Sequence, residues 1–130
     1  MSTNPMSDLG RLRWAIPEGY IPSGSVDPNN PALLSHEDAC LLNASDRDAE
    51  VLITLYFEDR EPVGPYRIAL AARRTKHLRF NDLTQPERVP RDTPYSAVIE
   101  SSVPIVVQHT RLDSRHPNIA LLSTIAFAMD

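Results

Sequence analysis

The sequence has little of what disulfide-stabilised, membrane-spanning or phosphate-cradling proteins require. Its 130 residues include one cysteine, Cys40, so the chain cannot form an internal disulfide. Only four glycines are present, and they are spread too widely to form a phosphate-binding loop. No apolar run approaches the ~20 residues that a bilayer-spanning helix needs. The first ten residues have no cationic segment followed by an apolar one, so we expect no signal peptide and a cytoplasmic location.

Positive charge is also in short supply. The chain has 13 Lys and Arg residues against 17 Asp and Glu residues, which gives a net charge of -4. An acidic chain is a poor candidate for wholesale binding to nucleic acid or to an anionic membrane surface, although one local basic patch is compatible with it. Hydrophobic residues make up 42% and charged residues 23%, which is typical of one globular domain.

Proline spacing and apolar periodicity together indicate a fold built from strands. Twelve prolines disfavour long helices. Apolar residues alternate at a period of two, most clearly in 50–58, where Val51, Ile53 and Leu55 share one face. The candidate strands are 12–16, 39–44, 50–58, 66–71, 75–80, 97–101, 105–112 and 120–128. We predict an all-β fold, a single-domain antiparallel β-sandwich of about eight short strands at 11–130, after a flexible N-terminal arm at 1–10.

Two prolines and the single tryptophan lead to more specific expectations. Pro17 is expected to end the first strand and Pro104 to begin a separate one, because proline lacks the N–H that a sheet ladder uses. Trp14 shares a face with Leu12 and Ile16 in the first strand. We expect Trp14 to anchor the core, with a role as a platform for a ligand as the alternative.

Groups of residues that suggest metal or catalytic chemistry also have plain structural explanations. The His-Glu-Asp run at 36–38 is too local for a zinc site, because adjacent strand residues point to opposite faces. In a loop, such a run usually forms hydrogen bonds. His109, Asp113 and Ser114 are not accompanied by a Gly-x-Ser-x-Gly motif. We therefore expect no metal, no cofactor and no enzymatic activity.

A dense basic stretch at 73–79 stands out in an acidic protein. On a strand, Arg73, Thr75, His77 and Arg79 would fall on one face. The plain interpretation is a solvated outer face that pairs with nearby Asp and Glu residues. The functional interpretation is a surface for an anion, a nucleic acid or a protein partner.

A second polar stretch, 108–116, follows five mostly apolar residues. Such a strand end usually leads to a binding site or to a subunit contact, and the residue types suit both a polyhydroxylated ligand and a buried ion-pair network. His109 and Arg111 share a face with Ile105, which should point inward. A guanidinium on that face must meet a carboxylate, a ligand or a neighbouring subunit. Asp113 and Glu18 are the expected carboxylates.

Several long stretches of the chain resemble the soluble sensory rhodopsin transducer family. They are WAIPEGYIP at 14–22, EPVGPYR at 61–67, ARRTKHLRFNDL at 72–83, PIVVQHTRLDSR at 104–115 and ALLSTIA at 120–126. The resemblance covers roughly 11–128. This sequence departs from the family in two loops, around 23–34 and 87–91. Because loops commonly set ligand choice, the ligand is the least transferable property.

The resemblance implies a compact β-sandwich, a cyclic homotetramer and no enzymatic activity. It also implies a role in coupling a membrane photoreceptor to a cytoplasmic output, with small-molecule, carbohydrate-like binding as the alternative. A DNA-binding regulator is the third hypothesis, and the acidic charge disfavours it. The ligand-binding or interface positions implied by the resemblance are Trp14, Glu18, His36, Asn43, Arg74, His77, Asn81, His109, Arg111 and Asp113.

Overall fold

The protein forms eight antiparallel strands, as seen in a computed structural model that describes residues 5–129. The strands are β1 (Arg11–Gly19), β2 (His36–Asn43), β3 (Ala49–Tyr56), β4 (Val63–Leu70), β5 (Arg74–Arg79), β6 (Tyr95–Asp113), β7 (Ala120–Ile125) and β8 (Phe127–Met129). The helices of this range are two 3-10 turns, Pro31–Leu33 and Phe80–Asp82. The all-β prediction is confirmed. Residues 1–4 of the predicted arm lie outside the described residues.

Neither 3-10 turn within residues 5–129 has the length or the apolar composition to cross a membrane.

Strand β6 belongs to both layers of the sandwich. Its first part pairs with β3 and β1 in a layer ordered β4-β3-β6-β1-β8. Its second part pairs with β2 and β7 in a layer ordered β5-β2-β6-β7. Ala97, Ile99, Val103, Ile105 and Val107 are all buried, so one face of β6 meets the core along its length.

The expectation that prolines bound the strands is wrong for both Pro17 and Pro104. Strand β6 was predicted as two strands, but it runs through Pro104 at the point where its neighbours change from β3 to β2. Strand β1 runs through Pro17 at a register shift between Ile16 and Gly19. At both positions the ladder is already interrupted, so the missing N–H removes no regular sheet bond.

Trp14 anchors the core on the inner face of β1. Its side chain is 5% exposed, and its indole Nε1 donates to the carbonyls of Ile105 and Arg11 at 3.1 Å each. The prediction that Leu12 shares this face is wrong, since a register shift between Arg11 and Arg13 leaves Leu12 exposed. Burial of a large aromatic side chain with a satisfied N–H is the arrangement expected of a core anchor.

The two irregular segments, 20–35 and 80–94, are fastened to each other and to the sandwich. Ile21 and Val89 are buried, and the backbone N–H and hydroxyl of Ser23 donate to the Asp92 carboxylate at 2.9 and 2.5 Å. These hydrogen bonds lower the pKa of Asp92. The Tyr66 hydroxyl donates to the Glu87 carbonyl at 2.7 Å. The segments therefore form an ordered end of the molecule, and the polar cluster described next lies there.

Candidate functional site

The functional candidates converge on Glu37, a carboxylate that is fully buried. The alternation of β2 turns Glu37, Ala39, Leu41 and Asn43 inward, and each is at most 1% exposed. The predicted strand began at Ala39 and did not include Glu37, whereas β2 begins at His36. Since Ala39 and Leu41 are small or apolar, the carboxylate is the one acidic group that β2 sends into the core.

Four groups surround the Glu37 side chain and its backbone. Oε1 accepts from the Arg111 Nε at 2.7 Å and from the Tyr20 backbone N–H at 2.9 Å. Oε2 lies 2.5 Å from the His109 Nε2. The Glu37 N–H donates to the Asn81 side-chain carbonyl at 3.3 Å. Both carboxylate oxygens are thus satisfied, which a buried charge requires.

The β2–β6 register brings these groups together. Glu37 lies directly opposite Arg111, and Ala39 lies opposite His109, so the imidazole reaches Glu37 diagonally. Of the three partners expected for Arg111, namely a carboxylate, a ligand or a neighbouring subunit, the structure shows a carboxylate. The carboxylate is Glu37, which sequence reasoning missed, although the period-2 pattern with Ala39 and Leu41 identifies it.

The two expected carboxylates lie nearby in lesser roles. The Glu18 carbonyl accepts from Arg111 at 3.0 Å, while its carboxylate is exposed and 3.8 Å from the guanidinium. Asp113 binds Arg115 through three side-chain contacts of 2.7 to 3.2 Å. The hydrogen bonds from Arg115 lower the pKa of Asp113.

A polar cleft of about 260 Å³ opens beside this cluster. It is lined by Glu18, Gly19, Tyr20, Pro22, Pro94, Arg111, Asp113 and Arg115. The Arg115 guanidinium lies 6.0 Å from the centre of the Tyr20 ring, within cation–π range. The cleft therefore combines one aromatic ring with planar groups that donate and accept hydrogen bonds.

A second, apolar cleft of about 350 Å³ is lined in part by His109. Its lining residues are Ala15, Ile16, Pro17, His109, Thr124, Ile125, Ala126 and Phe127. The Glu37 carboxylate thus joins two clefts, because its partner Arg111 lines the polar one and its partner His109 lines the apolar one.

Tyr95 is a further polar group at this end of the molecule, and it was not predicted. Its ring is buried against Phe80 at 5.6 Å between centroids, and a Cβ on Gly19 would lie 2.3 Å from the ring. Glycine at position 19 is therefore required by the close approach of Tyr95. The phenol oxygen has no hydrogen-bond partner in the described residues, and its pKa is raised well above 10.0, mainly by burial and then by the charge of Glu37.

The remaining site residues from the sequence lie apart from Glu37. Asn43 is fully buried and organises the turn after β2, donating to the carbonyls of Arg47, Leu70 and Ala71 at 2.7 to 3.3 Å. His36 points to the outer face, where its ring nitrogens contact the Leu34 carbonyl at 2.6 Å and Arg79 at 3.4 Å. These contacts give Asn43 and His36 structural roles.

The basic stretch forms β5, with one change from the prediction. Arg73 does not share its face, because it occupies the turn before β5 with a φ of 57°. Arg74 and His77 are exposed on β5, which pairs with β2 alone in the described sheet. Within the described residues, the basic strand is therefore an edge strand, and neither Arg74 nor His77 forms a hydrogen bond or an ion pair with Glu37.

The hydrogen bonds of Ser114 do not assemble a catalytic triad with His109. The Ser114 hydroxyl donates to the Leu33 carbonyl at 2.5 Å and contacts the Ser35 hydroxyl at 3.2 Å. His109 instead contacts Glu37. Within residues 5–129, no group of three or more His, Cys, Asp or Glu side chains is arranged to hold a metal ion.

We expect the Arg111–Glu37 pair to be strongly coupled. Arg111→Met should lower the free energy of unfolding by about 3–5 kcal/mol, because it removes one partner of a buried ion pair. Adding Glu37→Gln should restore part of that loss, giving a coupling energy of about 1–3 kcal/mol in a double-mutant cycle measured by urea unfolding.

The exposed Arg67–Glu50 pair is the matched control for this cycle. Its closest N–O distance is 2.6 Å, almost the same as in the buried pair, but its side chains are 67% and 60% exposed. Arg67→Met with Glu50→Gln should therefore couple by about 0.5 kcal/mol or less. Equal coupling in the two cycles would contradict the assignment of Glu37 as a buried, charge-dependent centre.

Tyr95→Phe should leave the protein at least as stable at pH 7, with a gain of up to about 1 kcal/mol in urea unfolding, because it removes a buried hydroxyl for which residues 5–129 provide no hydrogen-bond partner. Tyr66→Phe is the control and should lose about 1 kcal/mol, since it removes the hydrogen bond to Glu87.

The stability of wild type and of Tyr95→Phe should depend differently on pH in alkaline solution. Because the fold raises the pKa of Tyr95, the phenol is neutral in both the folded and the unfolded chain below pH 10.0. Above pH 10.0 it ionises first in the unfolded chain, so the free energy of unfolding declines as the pH rises toward the folded value. Wild type should therefore lose stability above pH 10.0 more steeply than Tyr95→Phe. Parallel profiles for the two proteins would show that the phenol is not held neutral by the fold.

Comparison with known proteins gives matches over most of the chain. Residues 9–128 match the family of the Anabaena sensory rhodopsin transducer. The solved structure of the Anabaena sensory rhodopsin transducer is 54% identical, with a TM-score of 0.69, covering 79% of this chain and 98% of that one. The crystal structure of Thermotoga maritima 1070 is 36% identical, with a TM-score of 0.82, covering 93% of this chain and 97% of that one. No curated protein sequence matches.

The family match extends across the strands and the loops that build the Glu37 cluster, since it begins before β1 and ends within β8. The chain therefore belongs to the Anabaena sensory rhodopsin transducer family.

Proposed function

We propose that this protein is a non-enzymatic transducer that relays a receptor signal in the cytoplasm and that its polar cleft binds a small, sugar-like molecule. Membership of the transducer family supports the signalling role. The cleft at Tyr20, Arg111, Asp113 and Arg115 supports the ligand role. The single observation that carries the second part is the aromatic ring of Tyr20 among planar charged groups beside a buried carboxylate.

The chemistry of the cleft suits a polyhydroxylated ligand. Sugars stack their apolar C–H faces on aromatic rings and hydrogen-bond to planar polar groups. Asp113 and Glu18 accept hydrogen bonds, and the two guanidiniums donate them. Arg111 is held in place by Glu37 and Arg115 by Asp113, so the donors are already oriented before a ligand binds.

A thermal-shift screen against monosaccharides and disaccharides tests this function. A sugar present at ten times its dissociation constant should stabilise the folded state by about 1.4 kcal/mol and raise the melting temperature by roughly 3–6 °C. Tyr20→Ala should abolish the shift. Tyr56→Ala is the matched control, because Tyr56 is a 44% exposed tyrosine outside the polar cleft.

The proposal of sugar binding would be overturned if no sugar raised the melting temperature. It would also be overturned if Tyr20→Ala responded like wild type. A shift with sulfate or phosphate alone would assign the two guanidiniums to an anion instead.

We also propose that the protein assembles as a homotetramer through the edge formed by β7 and β8. This edge exposes large apolar side chains: Leu121 is 68%, Leu122 48%, Ile125 62% and Phe127 66% exposed. Contiguous apolar surface of this kind marks protein contact sites. A cyclic tetramer brings two different surfaces together, so the apolar edge supplies one half of each contact.

Sedimentation equilibrium should give four times the chain mass of 14.5 kDa. Ile125→Lys with Phe127→Lys should dissociate the assembly, because two charges would be buried without partners in the contact. Val26→Lys is the control, since Val26 is 50% exposed in the loop before β2. A monomeric wild type at micromolar concentration would contradict the tetramer, and an intact double variant would move the contact elsewhere.

A further inference from the structure

The sandwich has a second open edge, and its chemistry differs from that of β7 and β8. In the described sheet, β5 pairs with β2 alone, so its other side presents backbone N–H and C=O groups with no partner strand. The neighbouring edge strand β4 contains Pro65, which lacks an N–H to offer. Strand β5 contains no proline. It is therefore the better template for an added strand.

The positive charge of β5 is concentrated and has no acidic residue beside it in the chain. Residues 71–81 contain four of the 13 Lys and Arg residues and no Asp or Glu. Arg79 meets Asp38 at 3.7 Å and Arg73 meets Asp46 at 3.5 Å. Arg79 is therefore partly neutralised across the sheet by β2, and Arg73 by the turn that follows β2.

Arg74 and Lys76 are not neutralised in this way. Within residues 5–129, the Arg74 guanidinium donates to the carbonyls of Ala72 and Arg73 at 3.5 and 3.0 Å, and the Lys76 ammonium donates to the Ala69 carbonyl at 2.9 Å. Carbonyls satisfy the donors but do not balance the charge. An acidic protein thus keeps two cations two residues apart along an unpaired strand edge.

Their spacing selects for a particular ligand geometry. Arg74 lies opposite Asn43 and Lys76 opposite Leu41, so both point to the same face of the sheet. A strand added beside β5 places alternate side chains on that face. Carboxylates at every second position of such a strand would therefore meet the two cations, and opposite charges directly across a sheet are stabilising.

We infer that the free edge of β5 is a docking site for an extended acidic segment of a partner protein, which adds to the sheet as a strand with carboxylates at alternate positions. Opposite charge selects acidic segments over other segments, and the main-chain hydrogen bonds between β5 and the added strand provide the rest of the affinity. The inference rests on the proposed function only in that a transducer needs a protein partner. The saccharide test concerns a different surface of the protein. Failure of the sugar-binding proposal would therefore leave the β5 inference standing, and the reverse also holds.

Fluorescence anisotropy with a labelled peptide tests the inference. The probe is an eight-residue peptide that alternates glutamate with threonine, titrated with the full-length protein at low ionic strength. Arg74→Ala with Lys76→Ala should weaken binding at least tenfold. Arg60→Ala with Arg67→Ala is the matched control, because it removes the same charge from exposed ion pairs outside β5, and it should change binding less than twofold.

Two further probes separate strand addition from simple charge attraction. The same peptide with every backbone nitrogen methylated keeps its charge but cannot donate to a sheet, and it should not bind. A single-stranded oligonucleotide of equal charge should bind at least tenfold more weakly than the peptide. Equal binding by either probe would overturn the inference, as would absence of peptide binding.

The position of the site is tested by the variants. Peptide binding that survives Arg74→Ala with Lys76→Ala would overturn the assignment to β5. A lower sedimentation mass for this double variant would show that β5 contacts a second copy of the chain, which would also overturn it. Circular dichroism on both double variants confirms that the fold is kept, since all four side chains are exposed.

Discussion

A carboxylate held entirely out of water is the interaction on which one end of this sandwich depends. Burying an ion costs several kcal/mol unless it is paired and hydrogen-bonded. Glu37 meets that requirement through Arg111, His109 and the Tyr20 backbone, which belong to β6 and to the loop after β1. The same hydrogen bonds therefore pin the β2–β6 register. A slip of one residue would turn Glu37 outward and bring His36 and Asp38 into the core.

The polar cleft and the apolar cleft are both connected to the Glu37 carboxylate. Arg111 lines the polar cleft and His109 lines the apolar cleft, and both hold the same carboxylate. A ligand that drew Arg111 toward itself would leave Glu37 more dependent on His109. His109 also shares the apolar cleft with Ile125 and Phe127, so the proposed ligand binding and the proposed assembly would involve neighbouring parts of the structure.

The edge strands of an open sandwich expose backbone groups that have no partner strand, and the edges of this sandwich differ in chemistry. The edge at β7 and β8 is apolar and exposed, the edge at β5 is basic, and the edge at β4 contains Pro65. Apolar area favours a partner that also loses water, whereas unpaired cations favour an acidic one. Because β6 runs through both layers, these surfaces are parts of one continuous sheet.

Apolar alternation and proline frequency in the sequence determined the all-β class, and the period of β6 determined that His109 and Arg111 face inward. The same period-2 alternation identifies Glu37 as inward-facing once β2 is extended to His36. The predicted strand began at Ala39, so Glu37 was not included in it. Only the tertiary structure decided that β6 crosses Pro104, that Leu12 leaves the face of Trp14, and that Glu37 meets an arginine 74 residues away. The physical reason is that periodicity is set by neighbours along the chain, whereas register shifts and cross-strand pairs are set by the packing of whole strands.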